Sequence, residues 1–285
     1  MKKIISLLLI LTLALTGVLM VSCAEEVENN ELVEDNKTAT DADIAQPEEE
    51  KKLTDDGKLT MGTNAQFPPY EFYEDGKIVG IDAEIAAAIA EKLGLELVIE
   101  DMEFNSIITA VVGGGVDMGL AGMTVTEERL ESVNFSTSYA TGIQSVIVVD
   151  GNGIETLDDL AGKKIGVQLS TTGDIYASGD YGDENVIKYN KGADAVLALI
   201  GGDVQAVIID NEPAKSYLAA NPDAGLKILD TEYAVEEYAA AIKKENTELL
   251  NAVNAAIEEM IQDGTIDAII EKYIPTEAAE TEAAE

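Results

Sequence analysis

Between Leu53 and Pro275, β-rich apolar runs alternate with amphipathic helical stretches, and this rhythm limits the fold more than any other feature of the chain. Such alternation argues for α/β construction. Lys58 to Thr63 reads as a strand. Asp82 is placed to N-cap a helix whose Ile85, Ile89 and Leu93 form an apolar stripe, with Gly94 just past its end. A strand is expected at Leu95 to Glu100, a helix near Asn105 to Val112 and a strand at Val116 to Ala121. Farther on, Thr156-Leu157-Asp158-Asp159 forms a capping box that opens a short helix. Lys164 to Gln168 and Val204 to Asp210 read as buried strands, and Asn246 to Gln262 as a long amphipathic helix. A faint repeat aligns VVGGGVDMGL at Val111 to Leu120 with LIGGDVQAVI at Leu199 to Ile208, each a helix end, a Gly-Gly turn and a β-rich run. Gly57-Lys58-Leu59 and Gly162-Lys163-Lys164 open the two copies. The repeat implies two similar lobes, and two lobes imply a cleft.

The flanks have a different character. Residues 1–23 join Met1-Lys2-Lys3 to an apolar run and end at Cys23, the only cysteine, in the pattern of an export signal. The end, Leu19-Met20-Val21-Ser22-Cys23, resembles a bacterial lipobox with Met20 where Leu is usual. That resemblance implies a diacylated Cys23 anchoring the mature chain to the outside of the cell membrane. Ordinary cleavage beside an incidental cysteine and an uncleaved anchor are the alternatives. Residues 24–52 are polar, acidic and free of aromatic residues, so they read as a solvated, disordered tether. Residues 275–285 read as an acidic tail.

Composition excludes several classes of function. Eighteen Lys plus Arg against 55 Asp plus Glu leave a net charge of −37, which repels nucleic acid. With no histidine and one cysteine, His-based catalysis, His-ligated metals, thiolate clusters and internal disulfides are out. No metal or cofactor is expected. Among the eighteen basic residues, Arg129 is the single arginine. It follows Ala121-Gly122-Met123-Thr124-Val125-Thr126, with Thr126 as the expected N-cap and Arg129 at the third helical position. A cation sits poorly at that end of a helix dipole, so something anionic should compensate it. Either Glu127 or Glu131 does so locally, or a ligand carboxylate does, for which a planar guanidinium is suited.

Five segments, in order, resemble the polar amino-acid binding proteins of bacterial ABC transporters, the family 3 solute-binding proteins. They are GTNAQFPPYEF from Gly62, VGIDAEIAAAIAEKLG from Val79, AGMTVTEERLESVNFSTSYATG from Ala121, LDDLAGKKIGVQLSTTG from Leu157 and LLNAVNAAIEEMIQDGTIDAIIEKY from Leu249. The resemblance runs from about Leu53 to Ile274. It implies a two-lobed periplasmic-binding-protein fold of type II, with two crossover hinge strands and the ligand trapped in the interlobe cleft. Lobe 1 would comprise 53–138 plus 240–274 and lobe 2 139–239, with hinges near 139–143 and 235–239.

Carried onto this sequence, the resemblance has Arg129 clamp the ligand α-carboxylate, with Gly122 and Thr124 adding backbone and hydroxyl hydrogen bonds. Thr171 and Thr172 approach the carboxylate from the other lobe, and Asp210 accepts from the α-ammonium. Phe67 and Phe104 sandwich the ligand side chain, with Pro68-Pro69 stiffening the loop beneath Phe67. Without the resemblance, Asp210 reads as a cap for the following helix and Phe104 as core packing.

Asn64 and Gln168 stand where relatives often carry an acid and a lysine, and Ser170 where glycine is common. An uncharged polar ligand, glutamine first, is therefore expected, with a basic amino acid open and aspartate or glutamate least favoured. The implied partners are a free L-amino acid and a membrane permease, with the chain acting as a monomer. A dehydratase on the same fold, with Glu71 or Glu103 as acid or base, and a ligand-sensing subunit are the competing readings.

Overall fold

The computed structural model describes residues 53–275 except 55 and 232, all within one compact unit. The expected export signal with Cys23, the tether over 24–52 and the tail over 276–285 lie outside the described residues.

The chain opens with β1 (Lys58–Thr63), β2 (Gln66–Phe67), β3 (Glu71–Glu74), β4 (Lys77–Val79), α1 (Ile81–Leu93), β5 (Glu96–Asp101), α2 (Phe104–Gly113), β6 (Met118–Gly119), α3 (Glu127–Leu130) and β7 (Val133–Phe135). Next come β8 (Ala140–Val149), β9 (Ile165–Gln168), α4 (Thr172–Tyr181), β10 (Val186–Tyr189), α5 (Gly192–Gly201), β11 (Ala206–Asp210), α6 (Asn211–Ala220), β12 (Leu226–Ile228) and β13 (Ala234–Tyr238). It closes with β14 (Ala241–Lys243), α7 (Thr247–Gln262) and α8 (Thr265–Tyr273).

Two sheets make the two lobes. The first runs β5-β1-β6-β14-β7 and the second β10-β9-β11-β8-β12, with β13 added along β8. A small antiparallel sheet, β2-β3-β4, leads into α1. The sequence repeat corresponds to a repeated topology. β1-α1-β5-α2-β6 and β9-α4-β10-α5-β11 follow the same order, and in each the first strand lies between the other two with parallel pairing. The aligned Gly-Gly turns are equivalent too: Gly114 and Gly202 both close their helices in left-handed conformation.

Local chemistry explains the elements. Leu59 and Met61 alternate inward along β1, and Ile81, Ile85 and Ile89 line one buried face of α1, spaced four apart. Gly94 caps α1 in left-handed conformation, Asn246 caps α7 by accepting from Leu249 N, and the Thr156–Asp159 capping box opens a single 3-10 turn. Besides shifts of one or two residues at strand ends, expectation and structure differ at β6 and at Asp82. β6 spans two residues instead of the run Val116 to Ala121, because the chain leaves the sheet at Ala121-Gly122 to enter the cleft. Asp82 does not cap α1: Gly80 holds that position, and the Asp82 carboxylate turns inward to accept from Gly122 N at 2.7 Å and Tyr139 Oη at 2.8 Å.

The chain passes between the sheets along two neighbouring antiparallel segments. Phe135 pairs with Ala241 in the first sheet, Ser136 N and Tyr139 N donate to Ala240 O and Tyr238 O, and Ala140 pairs with Tyr238 as β8 and β13 enter the second. Side by side, these passages hold the lobes edge to edge and leave a cleft between them.

Candidate functional site

The cleft is lined by Asn64, Phe67, Phe104, Gly122, Thr124, Arg129, Gln168, Thr171, Thr172 and Asp210, together with Glu71 and Ala121. All ten positions singled out in the sequence thus meet at one place. Glu71, named from the sequence only as a candidate acid or base of the competing dehydratase reading, joins them.

Arg129 is carried by the one-turn helix α3, where Thr126 Oγ1 accepts from its backbone N. Arg129 is 7 % exposed, and its guanidinium donates to Thr124 O at 2.7 Å and Ser170 O at 3.1 Å and lies 5.3 Å from the Phe104 ring centre. Among the described residues it forms no ion pair, so neither Glu127 nor Glu131 neutralises it locally. Burial pulls its pKa down, while the charges of Glu236 and Asp210 push back. Phe104 is half-buried beneath this cation, which gives its ring a face on the cleft.

The turn at Gly122 needs glycine. Its φ is 51°, and a Cβ there would stand 2.8 Å from Phe67 Cε1. Phe67 stacks on Tyr70 at 5.8 Å, and Tyr70 meets Tyr238 edge-on at 5.2 Å, so the ring wall is braced from behind. The peptide between Pro68 and Pro69 in this loop is cis.

Hydrogen bonds between described residues join the lobes across the cleft. Gln168 Nε2 donates to Asn64 Oδ1 at 3.0 Å, Arg129 Nη2 to Ser170 O, and Tyr217 Oη to Gln66 O at 2.8 Å. Ser170 adopts the left-handed conformation, φ 65°, for which the expected glycine is suited, and its N–H is held by Asp174 Oδ2 at 2.9 Å. Thr171 caps α4: its hydroxyl accepts from Asp174 N and commits its one proton to Gln168 O. Thr172 begins α4, where no carbonyl of the helix is available to its N–H.

Asp210 ends β11 at the N-cap position of α6 but makes no side-chain cap, which sets aside that alternative. It accepts instead from Tyr238 Oη, and burial followed by the charge of Glu236 raises its pKa to about 7. Asp82 is raised by burial to about 6 despite hydrogen bonds from Gly122 N–H and Tyr139.

Glu71 is 0 % exposed, and its carboxyl group hydrogen-bonds the buried Asp82 carboxylate while neither of its oxygens accepts from a described N–H or hydroxyl group. Burial first, then the neighbouring Asp82, pushes its pKa well above the usual carboxylate range. A signal for it lay in the small sheet: Glu71 pairs directly with Phe67, so the two share a sheet face. Glu236 on β13 gave an opposite signal, since Val235 beside it is 63 % exposed while Glu236 is buried.

The chain matches the model of the bacterial extracellular solute-binding proteins, family 3, over residues 59–276. It is 35% identical to the arginine-binding extracellular protein ArtP of Bacillus subtilis, over 77% of this chain and 87% of that protein. A solved ancestral arginine-binding protein bound to arginine is 43% identical, with a TM-score of 0.72, over 76% of this chain and 98% of that one. An ancestral arginine-binding protein bound to glutamine is 42% identical, with a TM-score of 0.72, over 77% and 99%. With the two-lobed fold, the central cleft and a family match across nearly the whole described region, the chain belongs to the bacterial extracellular solute-binding proteins, family 3.

Proposed function

We propose that the protein is the extracytoplasmic receptor of an ABC importer and binds a free L-amino acid with a cationic side chain, arginine foremost. The observation that carries this reading is Glu71, a fully buried carboxyl group whose side-chain partner is another acid, Asp82, in the wall of the cleft that holds Arg129. A guanidinium would supply the missing donors and charge. Gln168 adds an acceptor, because its Nε2 is engaged by Asn64 Oδ1 and Asn190 O while no described residue donates to its Oε1. Asn64 and Gln168 alone favour the glutamine-like ligand; Glu71 moves the preference to arginine. Glutamine is the second ligand, because the same two amides can hydrogen-bond a carboxamide.

In this reading Arg129 and the first N–H groups of α4 take the α-carboxylate, Asp210 takes the α-ammonium, and Phe67 and Phe104 flank the side chain. Thr124, Gly122, Thr171 and Thr172 complete the walls. The lobes, 53–138 plus 240–274 and 139–239, close about hinges near 139–143 and 235–239, and a permease reads the closed form. The receptor acts as a monomer held at the membrane by a lipid on Cys23.

Calorimetric titration with arginine, lysine, histidine, glutamine and cystine tests the reading. Arginine should bind one to one and most tightly. Glu71→Gln should weaken arginine by at least about tenfold, in line with breaking a desolvated charge pair, while changing glutamine binding little. Equal losses for both ligands would refute the assignment of Glu71, and absence of any binding would refute the receptor.

A further inference from the structure

Thr124 in lobe 1 and Thr172 in lobe 2 both line the cleft, and both donate their hydroxyl protons to a single oxygen, Glu236 Oε2, at 3.1 and 3.0 Å. Gln144 Nε2 donates to the same oxygen at 3.1 Å and reaches Thr172 Oγ1 at 3.4 Å. Glu236 and Gln144 lie on β13 and β8, the paired strands next to the passages between the sheets. The second oxygen, Oε1, is buried as well, and Tyr176 also hydrogen-bonds the Glu236 carboxylate. Glu236 is thus a buried carboxyl group directly behind the two cleft threonines, and its charge acts on Arg129.

The consequence follows from proton counting. A hydroxyl has one proton and two lone pairs. With both protons committed to Glu236, the two threonines have only lone pairs left to offer the cleft. We infer that Glu236 is a specificity-determining positioning residue, which fixes Thr124 Oγ1 and Thr172 Oγ1 as acceptors and makes the cleft demand an α-ammonium group in its ligand. Asp210 supplies a third acceptor in the same cleft. A carboxylic acid without the ammonium still satisfies Arg129 but leaves these acceptors desolvated and unpaired, and a missing donor is penalised more than a missing apolar contact. The inference rests on the amino-acid receptor proposed above.

The test compares L-arginine with 5-guanidinopentanoate, the same molecule lacking the α-ammonium, by calorimetry on wild type, Glu236→Gln and Glu236→Met. Glutamine keeps an acceptor oxygen but loses the charge. Methionine removes both and frees the two hydroxyl protons to turn into the cleft. The preference for arginine should fall by about tenfold or more in Glu236→Met, with Glu236→Gln between it and wild type. Should the methionine variant fail to fold, Thr172→Val removes one of the two acceptors and is expected to lower the preference as well. Parallel weakening of both ligands, with the preference kept, would overturn the inference and leave Glu236 a structural brace. A wild type that binds no amino acid overturns the receptor and this inference together. A wild type that binds arginine beside variants of unaltered preference overturns this inference alone.

Discussion

Arg129 has five N–H donors, and the protein accepts from two of its nitrogens, through Thr124 O and Ser170 O. Burying a cation so incompletely satisfied is unfavourable in the empty protein, and an arriving carboxylate relieves it. Asp210 holds the opposite imbalance, an acid lifted to about 7 by burial and by Glu236. A raised native-state pKa means that the folded protein binds a proton the unfolded chain has already lost. Asp210 therefore contributes stability at low pH that is lost as pH rises through about 7. The ligand-free protein should melt higher at about pH 5.5 than at about pH 7.5, and Asp210→Asn should shrink that difference. An unchanged difference in the variant would show that other acids, Asp82 and Glu71 among them, carry it. An α-ammonium reverses the sign by pulling the Asp210 pKa down, so ligand affinity should rise with pH until about 7 and then level off.

At the scale of elements, periodic patterns made much of the fold legible. β1 matches its expected bounds, and α7 lacks only Asn246, its cap. The stripe of α1 was readable because Ile85 and Ile89 recur at helical spacing whatever they pack against. Asp82 was misread because capping chemistry is local whereas its partners, Gly122 N and Tyr139 Oη, lie 40 and 57 residues away. Glu236 was missed for the same reason, being satisfied by Thr124, 112 residues distant, against the sense of its own strand pattern. The ten cleft positions came from resemblance, and only their convergence needed coordinates. Gly122 shows how tightly an element end can define the site. Gly122→Ala should lower stability by about 1–3 kcal/mol in chemical denaturation, through left-handed strain and overlap with Phe67, and should weaken ligand binding as the ring is displaced. Unchanged stability would mean that Phe67 yields freely.

For the whole molecule, the cross-lobe bonds Gln168 to Asn64, Arg129 to Ser170 and Tyr217 to Gln66 all depend on the lobes being drawn together. Each is individually modest, about 1 kcal/mol net, so a ligand touching both lobes can decide the equilibrium between open and closed forms. Small-angle scattering should show a smaller radius of gyration with arginine than without, and Arg129→Ala should abolish the difference; equal radii would argue against closure. The paired passages between the sheets also set an order of assembly. β14 sits between β6 and β7, yet it is made only after all of β8 through β13. As the chain emerges from its N-terminus, the first sheet remains split, with its β7 edge unattached, while β8 to β13 already contain every strand of the second. The lobe that begins the sequence is therefore the last to be completed, and the cleft comes into being only with the return of the chain's final segment.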